Sequence, residues 1–158
     1  MAKHQFSRAT FERMRAEYDD LTTRGRIQVA EKIERARELG DLSENGDYHA
    51  AKDEQGHMEG RIRELAYLLD HGEVVETGPE GHVRVGQIIT IVYDGDSEDM
   101  AETYIIGHIE ERIEGYDIVS PGSPMGSALL GSEVGSWVSY AAPNGELKVK
   151  VLSASAAR

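Results

Sequence analysis

Cysteine is absent from the 158-residue chain. Disulfide bonds and thiolate chemistry are thereby excluded, and a cytosolic setting is the simplest reading. Long apolar runs are missing too. None approaches the ~20 residues that a membrane-spanning helix needs, and the N-terminal MAKHQFSRATFER has neither the apolar stretch nor the small-residue cleavage site of a signal peptide. No membrane association is expected, and a cytoplasmic location is. Positive charge is in short supply, with 17 Lys and Arg against 29 Asp and Glu and a net charge of -12. Strong autonomous binding to DNA is not expected of such a chain, because neutralising phosphates supplies most non-specific affinity. What remains is ordinary for a folded protein: 29% charged and 39% apolar residues, well clear of the disordered class.

The charge is uneven. Residues 1–74 carry 12 basic and 16 acidic side chains, and residues 75–158 carry 5 and 13. Within the first half, Arg24, Arg26, Lys32, Arg35 and Arg37 oppose only Glu31 and Glu34. Two readings fit this basic stretch. One is a solvated helix with pairs along it, Glu31 with Arg35 and Glu34 with Arg37, each worth a few tenths of a kcal/mol. The other is a surface turned toward nucleic acid.

Hydrophobic spacing predicts two long helices around an acidic bend, GDLSENGD, at residues 40–47. After the bend Tyr48, Ala51, Gln55, Met58, Ile62, Leu65 and Leu69 alternate steps of three and four, a coiled-coil seam. Gly72 is the expected C-terminal cap of this helix. Before the bend, Phe11, Met14, Tyr18 and Leu21 keep the same spacing. The pattern slips phase near residues 22–25 and resumes at Val29, Ile33 and Ala36, which predicts a local change of supercoil. Ser7 is the candidate N-cap and Gly40 the candidate stop of this first helix, roughly 45 Å long at ~1.5 Å per residue. A short bend forces the second helix to return antiparallel. Two carboxylates, Asp41 and Glu44, then stand at the end of a two-helix finger without a pocket of their own.

Beyond Gly72 the texture changes. Gly78-Pro79-Glu80-Gly81 reads as a connector, and strand-like segments follow at 88–93, 103–106, 116–119, 137–142 and 146–152, the last two flanking a Pro143-Asn144-Gly145 turn. Ser123 and Pro124 open one short helix, Met125 to Leu130, as N-cap and first helical residue. Trp137, Tyr93, Tyr104, Tyr116 and Tyr140 are expected in the core or an interface of this part. The fold class is α+β: an antiparallel two-helix coiled-coil hairpin over residues 1–74, a linker at 75–82, and a small β-rich domain with one short helix over 83–158.

At GDLSENGDYHAAKDEQ (Gly40 to Gln55), the following Gly60-Arg61-Ile62, and SPGSPMGSALLG (Ser120 to Gly131), the chain resembles the Gre family of bacterial transcript-cleavage factors. The resemblance runs through nearly the whole chain in the same order. It implies a hairpin that enters the secondary channel of RNA polymerase, an FKBP-like domain that docks on the channel rim, and stimulated cleavage of backtracked RNA at its 3′ end. It implies no enzyme in isolation. Asp41 and Glu44 match the acidic tip residues that help bind the second Mg²⁺ of the polymerase, a metal shared only in the complex, and that position the attacking water. Ser43 and Asn45 are expected to orient the loop through hydrogen bonds to its backbone, and Arg37 and Lys52 match basic positions of the family associated with the extruded RNA. Gly46-Asp47 replaces the commoner Ala-Glu, keeping the charge and loosening the bend.

Other readings stand beside these. On spacing alone, Asp41, Ser43 and Glu44 would cap the second helix and complement its dipole. His49, Asp53 and His57 repeat every four residues and would form a metal face if they converged, though they lie off the apolar seam. A Gre-like channel binder that inhibits polymerase without cleavage is the leading alternative function. Prolyl isomerisation is a third, disfavoured because residues 83–158 contain no Phe for an aromatic proline pocket. The protein is expected to be a monomer.

Overall fold

Residues 4–75 and 80–157 are described by the computed structural model. The chain divides into two compact units, one of residues Glu12–His71 and one that joins Met1–Phe11 to Gly72–Arg158. The first eleven residues thus fall with the β-rich part. Residues 76–79, half of the expected linker and two residues of its Gly78-Pro79 turn, lie outside the described residues.

The first helical run is unbroken from Arg8 to Glu38 but not uniform. It comprises α1 (Arg8–Asp20), one π turn (Leu21–Gly25) and α2 (Arg26–Glu38). The π turn explains the phase slip. From Leu21 to Val29 the seam advances by one residue more than a heptad, and a π turn absorbs one extra residue within an otherwise α-helical rod. The expected supercoil change is therefore a local widening of the helix. Thr22 and Thr23 donate their hydroxyls to the carbonyls of Tyr18 and Asp19 at 2.8 and 2.6 Å, which occupies acceptors one turn back. Gly25 leaves room for the returning helix, since a Cβ there would sit 3.2 Å from the Met58 sulfur.

The return is α3 (Gly46–His71). Its seam buries Ala51, Ile62, Leu65 and Leu69, with Leu68 beside them, and α2 contributes Val29 and Ala36. Ion pairs zip the two runs antiparallel: Arg26 to Glu59 at 2.8 Å, Lys32 to Glu54 at 3.0 Å and Arg61 to Glu17 at 2.7 Å. The pairs expected along α2, Glu31–Arg35 and Glu34–Arg37, do not form. Arg26 and Lys32 instead reach across to acids of α3, Glu59 and Glu54. Gly72 is not a left-handed cap either. Helix α3 runs to His71, and Gly72 opens strand β2 directly.

In the second unit, β1 (His4–Phe6) and β2 (Gly72–Val74) form a parallel pair. A five-stranded sheet follows, made of β3 (Gln87–Tyr93), β4 (Glu102–Ile106), β5 (Asp117–Val119), β6 (Trp137–Ala142) and β7 (Gly145–Ala156), in the order β5-β4-β3-β7-β6. All its pairings are antiparallel except β4 with β5. One face buries Ile89, Ile91, Val149 and Val151 against Leu129 of α4 (Pro124–Leu129). Ser123 caps α4 by accepting from the Gly126 N–H at 3.0 Å. Tyr93, Tyr104 and Tyr140 pack against this core, but Trp137 and Tyr116 are 48% and 40% exposed, so neither is a core residue.

The start of α1 is anchored within this unit. Ser7 caps it, accepting from the Thr10 N–H. Buried Glu111 accepts from the Ser7 N–H at 2.8 Å and from the hydroxyls of Ser7 and Thr10 at 2.7 Å each. Phe6 is fully buried with its ring edge-on to His108, so the β-rich unit does contain phenylalanine after all. As the chain is α+β, the sequence reading of class holds.

Candidate functional site

Helix α2 stops because Gly40 and Asp41 both turn into the left-handed region, at φ +77° and +44°. Glycine takes that conformation freely, and aspartate is among the few other residues that tolerate it. Asp41 is the only non-glycine residue there among those described. The Gly40 N–H bonds the carbonyl of Arg37 at 3.1 Å, one of the two bonds that commonly finish a helix this way. The second acceptor, the Ala36 carbonyl, takes the Leu39 N–H at 3.2 Å and a side chain as well. Asn45 donates its amide to Ala36 O at 2.6 Å and to Gly40 O at 3.3 Å.

The other end of the same side chain begins the next helix. Asn45 Oδ1 accepts from the Tyr48 N–H at 3.0 Å, the N-cap bond of α3. One residue therefore closes α2 and opens α3. Asp41, Ser43 and Glu44 do not cap α3, which removes the capping account of these carboxylates. Gly46 is the first residue of α3, so the substitution expected to loosen the bend lies inside the helix.

Between the two helices, residues 41–44 make a single turn in which the Glu44 N–H bonds Asp41 O at 3.2 Å. Such a turn brings its first and last Cα atoms within ~7 Å. Asp41 and Glu44 occupy those two positions, and both are exposed. Ser43 donates to Asp41 Oδ1 at 3.1 Å, a bond to a side chain where bonding to backbone was expected. The acids are neither paired with a base nor buried, and they face outward as hard oxygen donors.

Magnesium commonly takes one or two carboxylates and fills its remaining positions with water and substrate oxygens. Asp41 and Glu44 fit that share of a site. No group of three or more His, Cys, Asp or Glu side chains converges as a metal centre among the described residues, so His49, Asp53 and His57 do not form one.

The basic stretch is resolved by partners. Arg24 pairs with Asp20, Arg26 with Glu59 and Lys32 with Glu54. Closer to the tip, Arg35 and Arg37 are exposed and carry no ion pair among the described residues. Exposed Lys52 on α3 bonds only the neutral Gln55, at 3.0 Å. Within this stretch the charges of Arg24, Arg26 and Lys32 are paired, and those of Arg35 and Arg37, nearer the acidic turn, are left available. Two features escaped the sequence reading: the double role of Asn45, and a contact of His49 Nε2 with the Ser43 carbonyl at 3.3 Å. The Asn-Gly dipeptide before an apolar seam signals a cap, but which oxygen performs it depends on the return angle of the chain.

Comparison with known proteins agrees in both halves. The N-terminal domain of the GreA/GreB transcription elongation factors matches residues 4–74, and their C-terminal domain matches residues 78–156. The transcription elongation factor GreA of Roseiflexus castenholzii is 39% identical over 89% of this chain and 90% of its own length. GreA of Streptomyces avermitilis is 41% identical over 91% and 88%, and that of Rhodococcus erythropolis 43% identical over 90% and 88%. Among solved structures, the transcription factor Gfh1 overlays with a TM-score of 0.46 at 23% identity, covering 97% of each chain. A GreA/GreB elongation factor of Nitrosomonas europaea gives 0.42 at 18%, covering 97% of this chain and 99% of its own. With one turn holding two exposed carboxylates, and with relatives of this similarity along both halves, the chain belongs to the GreA/GreB family of transcription elongation factors.

Proposed function

We propose that this protein enters the secondary channel of RNA polymerase and stimulates the polymerase's own endonucleolytic cleavage of backtracked RNA, in the cytoplasm and without catalysing a reaction alone. The observation that carries the reading is the turn at 41–44. Asp41 and Glu44 stand at its two ends, exposed, without a cap or a base to occupy them. Asp41 accepts one hydrogen bond, from the Ser43 hydroxyl, and neither acid is tied to a base among the described residues.

In-line hydrolysis of a phosphodiester is favoured by two metals, which together activate water and stabilise the leaving oxygen. Asp41 and Glu44 would hold the second Mg²⁺ jointly with polymerase and accept hydrogen bonds that orient a water toward the phosphate. Asn45 fixes the turn that presents them, through its bonds to both helix ends. Arg37 and Lys52 would draw the phosphates of the extruded RNA. Lys52 does so as a point charge without the fork geometry of arginine. The five-stranded unit would dock on the channel rim and raise the effective concentration of the tip. No helix among the described residues is long and apolar enough to cross a membrane.

The test is RNA cleavage in stalled elongation complexes with added protein. Asp41→Asn and Glu44→Gln should each abolish stimulated cleavage while leaving polymerase binding nearly intact, because they remove metal-binding charge and no docking surface. Binding lost in proportion to cleavage would show that the acids serve the structure. Inhibition of synthesis without cleavage by the unaltered protein would establish instead the inhibitory channel binder.

A further inference from the structure

The peptide between Ser43 and Glu44 joins the two halves of the acidic turn, and both of its polar ends are held. Its N–H, that of Glu44, bonds Asp41 O at 3.2 Å. Its carbonyl, that of Ser43, faces Nε2 of His49 at 3.3 Å. A carbonyl oxygen can only accept, so Nε2 must carry the proton. Because the peptide is planar, fixing its carbonyl also fixes the direction of its N–H. The same Ser43 sends its hydroxyl to Asp41 Oδ1 at 3.1 Å. His49 stands in the first turn of α3, and its ring meets that of Tyr48 edge-on with centroids 5.7 Å apart. That seats the imidazole on a rigid element beside a turn that has no core of its own.

We propose that His49 is a positioning residue for the acidic tip: its Nε2–H pins the Ser43–Glu44 peptide and, through Ser43, sets the carboxylate of Asp41 relative to Glu44. This deepens the function proposed above and rests on it for the cleavage readout, though not for the geometry. It gives His49 a role that needs no metal. The imidazole touches neither RNA nor ion and works only by holding backbone. An untethered turn would sample other peptide orientations, and the fraction of molecules with both acids correctly presented would fall.

Three variants of the full chain separate the donor from the ring. His49→Phe keeps the ring and removes the N–H, His49→Ala removes both, and His49→Gln restores an N–H donor at a similar reach. In the isolated protein, nitrogen chemical shifts should show neutral His49 as the Nε2–H tautomer. Amide exchange at Glu44 should quicken about five-fold in His49→Phe and His49→Ala, the factor expected for loss of one ordinary hydrogen bond, and return to the parental rate in His49→Gln. In stalled complexes, the cleavage rate at saturating factor should fall by about the same factor in the first two variants. The concentration giving half-maximal effect should stay unchanged, and His49→Gln should recover the rate.

The Nδ1–H tautomer, unchanged Glu44 exchange in His49→Phe and His49→Ala, a His49→Gln as impaired as His49→Ala, or a defect only in the half-maximal concentration would each overturn the proposal. Absence of stimulated cleavage with the parent would refute the function instead. The tautomer and exchange measurements would then still decide whether His49 orders the turn.

Discussion

Replacing Asn45 tests the geometry of the tip most directly, because aspartate and asparagine are ordinarily equivalent helix caps. Asn45→Asp keeps an oxygen to accept from the Tyr48 N–H, and its charge suits the positive end of α3, a gain of roughly 0.3–1 kcal/mol. It also puts an acceptor where the amide now donates to Ala36 O at 2.6 Å and Gly40 O at 3.3 Å. Ala36 is only 4% exposed. The Ala36 carbonyl keeps the Leu39 N–H at 3.2 Å, so the cost is that of two ordinary hydrogen bonds, about 0.5–1.5 kcal/mol each, before any repulsion between the carboxylate and the two carbonyls. The loss outweighs the gain. Asn45→Asp should therefore destabilise the tip by about 1–2 kcal/mol, where a simple cap would be left unharmed. Asn45→Ala, which forfeits the cap as well, should cost about 2–3 kcal/mol. The change is local, so amide exchange in the first turn of α3 and the last turn of α2 is the assay, with tip opening expected to rise about ten-fold for aspartate. Parental protection in Asn45→Asp would refute the claim that one side chain fastens both helices.

Glu111→Ala strips the buried acceptor from three donors, those of the Ser7 N–H and the hydroxyls of Ser7 and Thr10, and should lower the stability of the β-rich unit by about 3 kcal/mol in urea. Glu111→Gln keeps one acceptor and should cost less; equal stability of both with the parent would deny the anchor. Arg37→Ala with Lys52→Ala should weaken cleavage most on deeply backtracked RNA and flatten its salt dependence by about 1.4 in log–log slope, at ~0.7 per lost single-strand phosphate contact. Parental behaviour on short and long backtracked RNA alike across a salt series would identify both as solvated helix charges. The Tyr104 hydroxyl bonds Glu102 at 2.5 Å, and that carboxylate, with burial, pushes its pKa up to about 12. A phenol whose folded value is raised favours its neutral form in the fold. Its contribution is whole below the ordinary value near 10 and drains away as pH rises from 10 to 12. Glu102→Gln should make Tyr104 ionise earlier in an ultraviolet titration, and an unchanged titration would rule out the carboxylate as the cause.

Much of this molecule was legible in order along the chain. The seam of α3, the stop at Gly40, the Ser7 cap, the Ser123-Pro124 helix start and the β6–β7 hairpin depend on neighbours within a few residues, and short-range patterns carry such information. The acidic pair was legible as well, because Asp41 and Glu44 fall within one turn. What the sequence left open were choices made by distant chain. The slip at residues 22–25 marks an extra residue, but only packing against Met58 decides that a π turn absorbs it. Strands β1 and β2 have three residues each and pair His4 with Gly72 across the whole hairpin, too short for any periodicity to show. Glu111 reads as one surface acid among many until Ser7 and Thr10 enclose it. Lys32 and Arg26 have no acid three or four residues away on their own run, and they pair across to α3 because the antiparallel return places Glu54 and Glu59 opposite them. The tip follows the same rule. Its residue types were evident from the chain, whereas the assignment of Asn45 to the cap and His49 to the Ser43 carbonyl required both helices to be in place, since each bond spans an element boundary that only the tertiary structure closes.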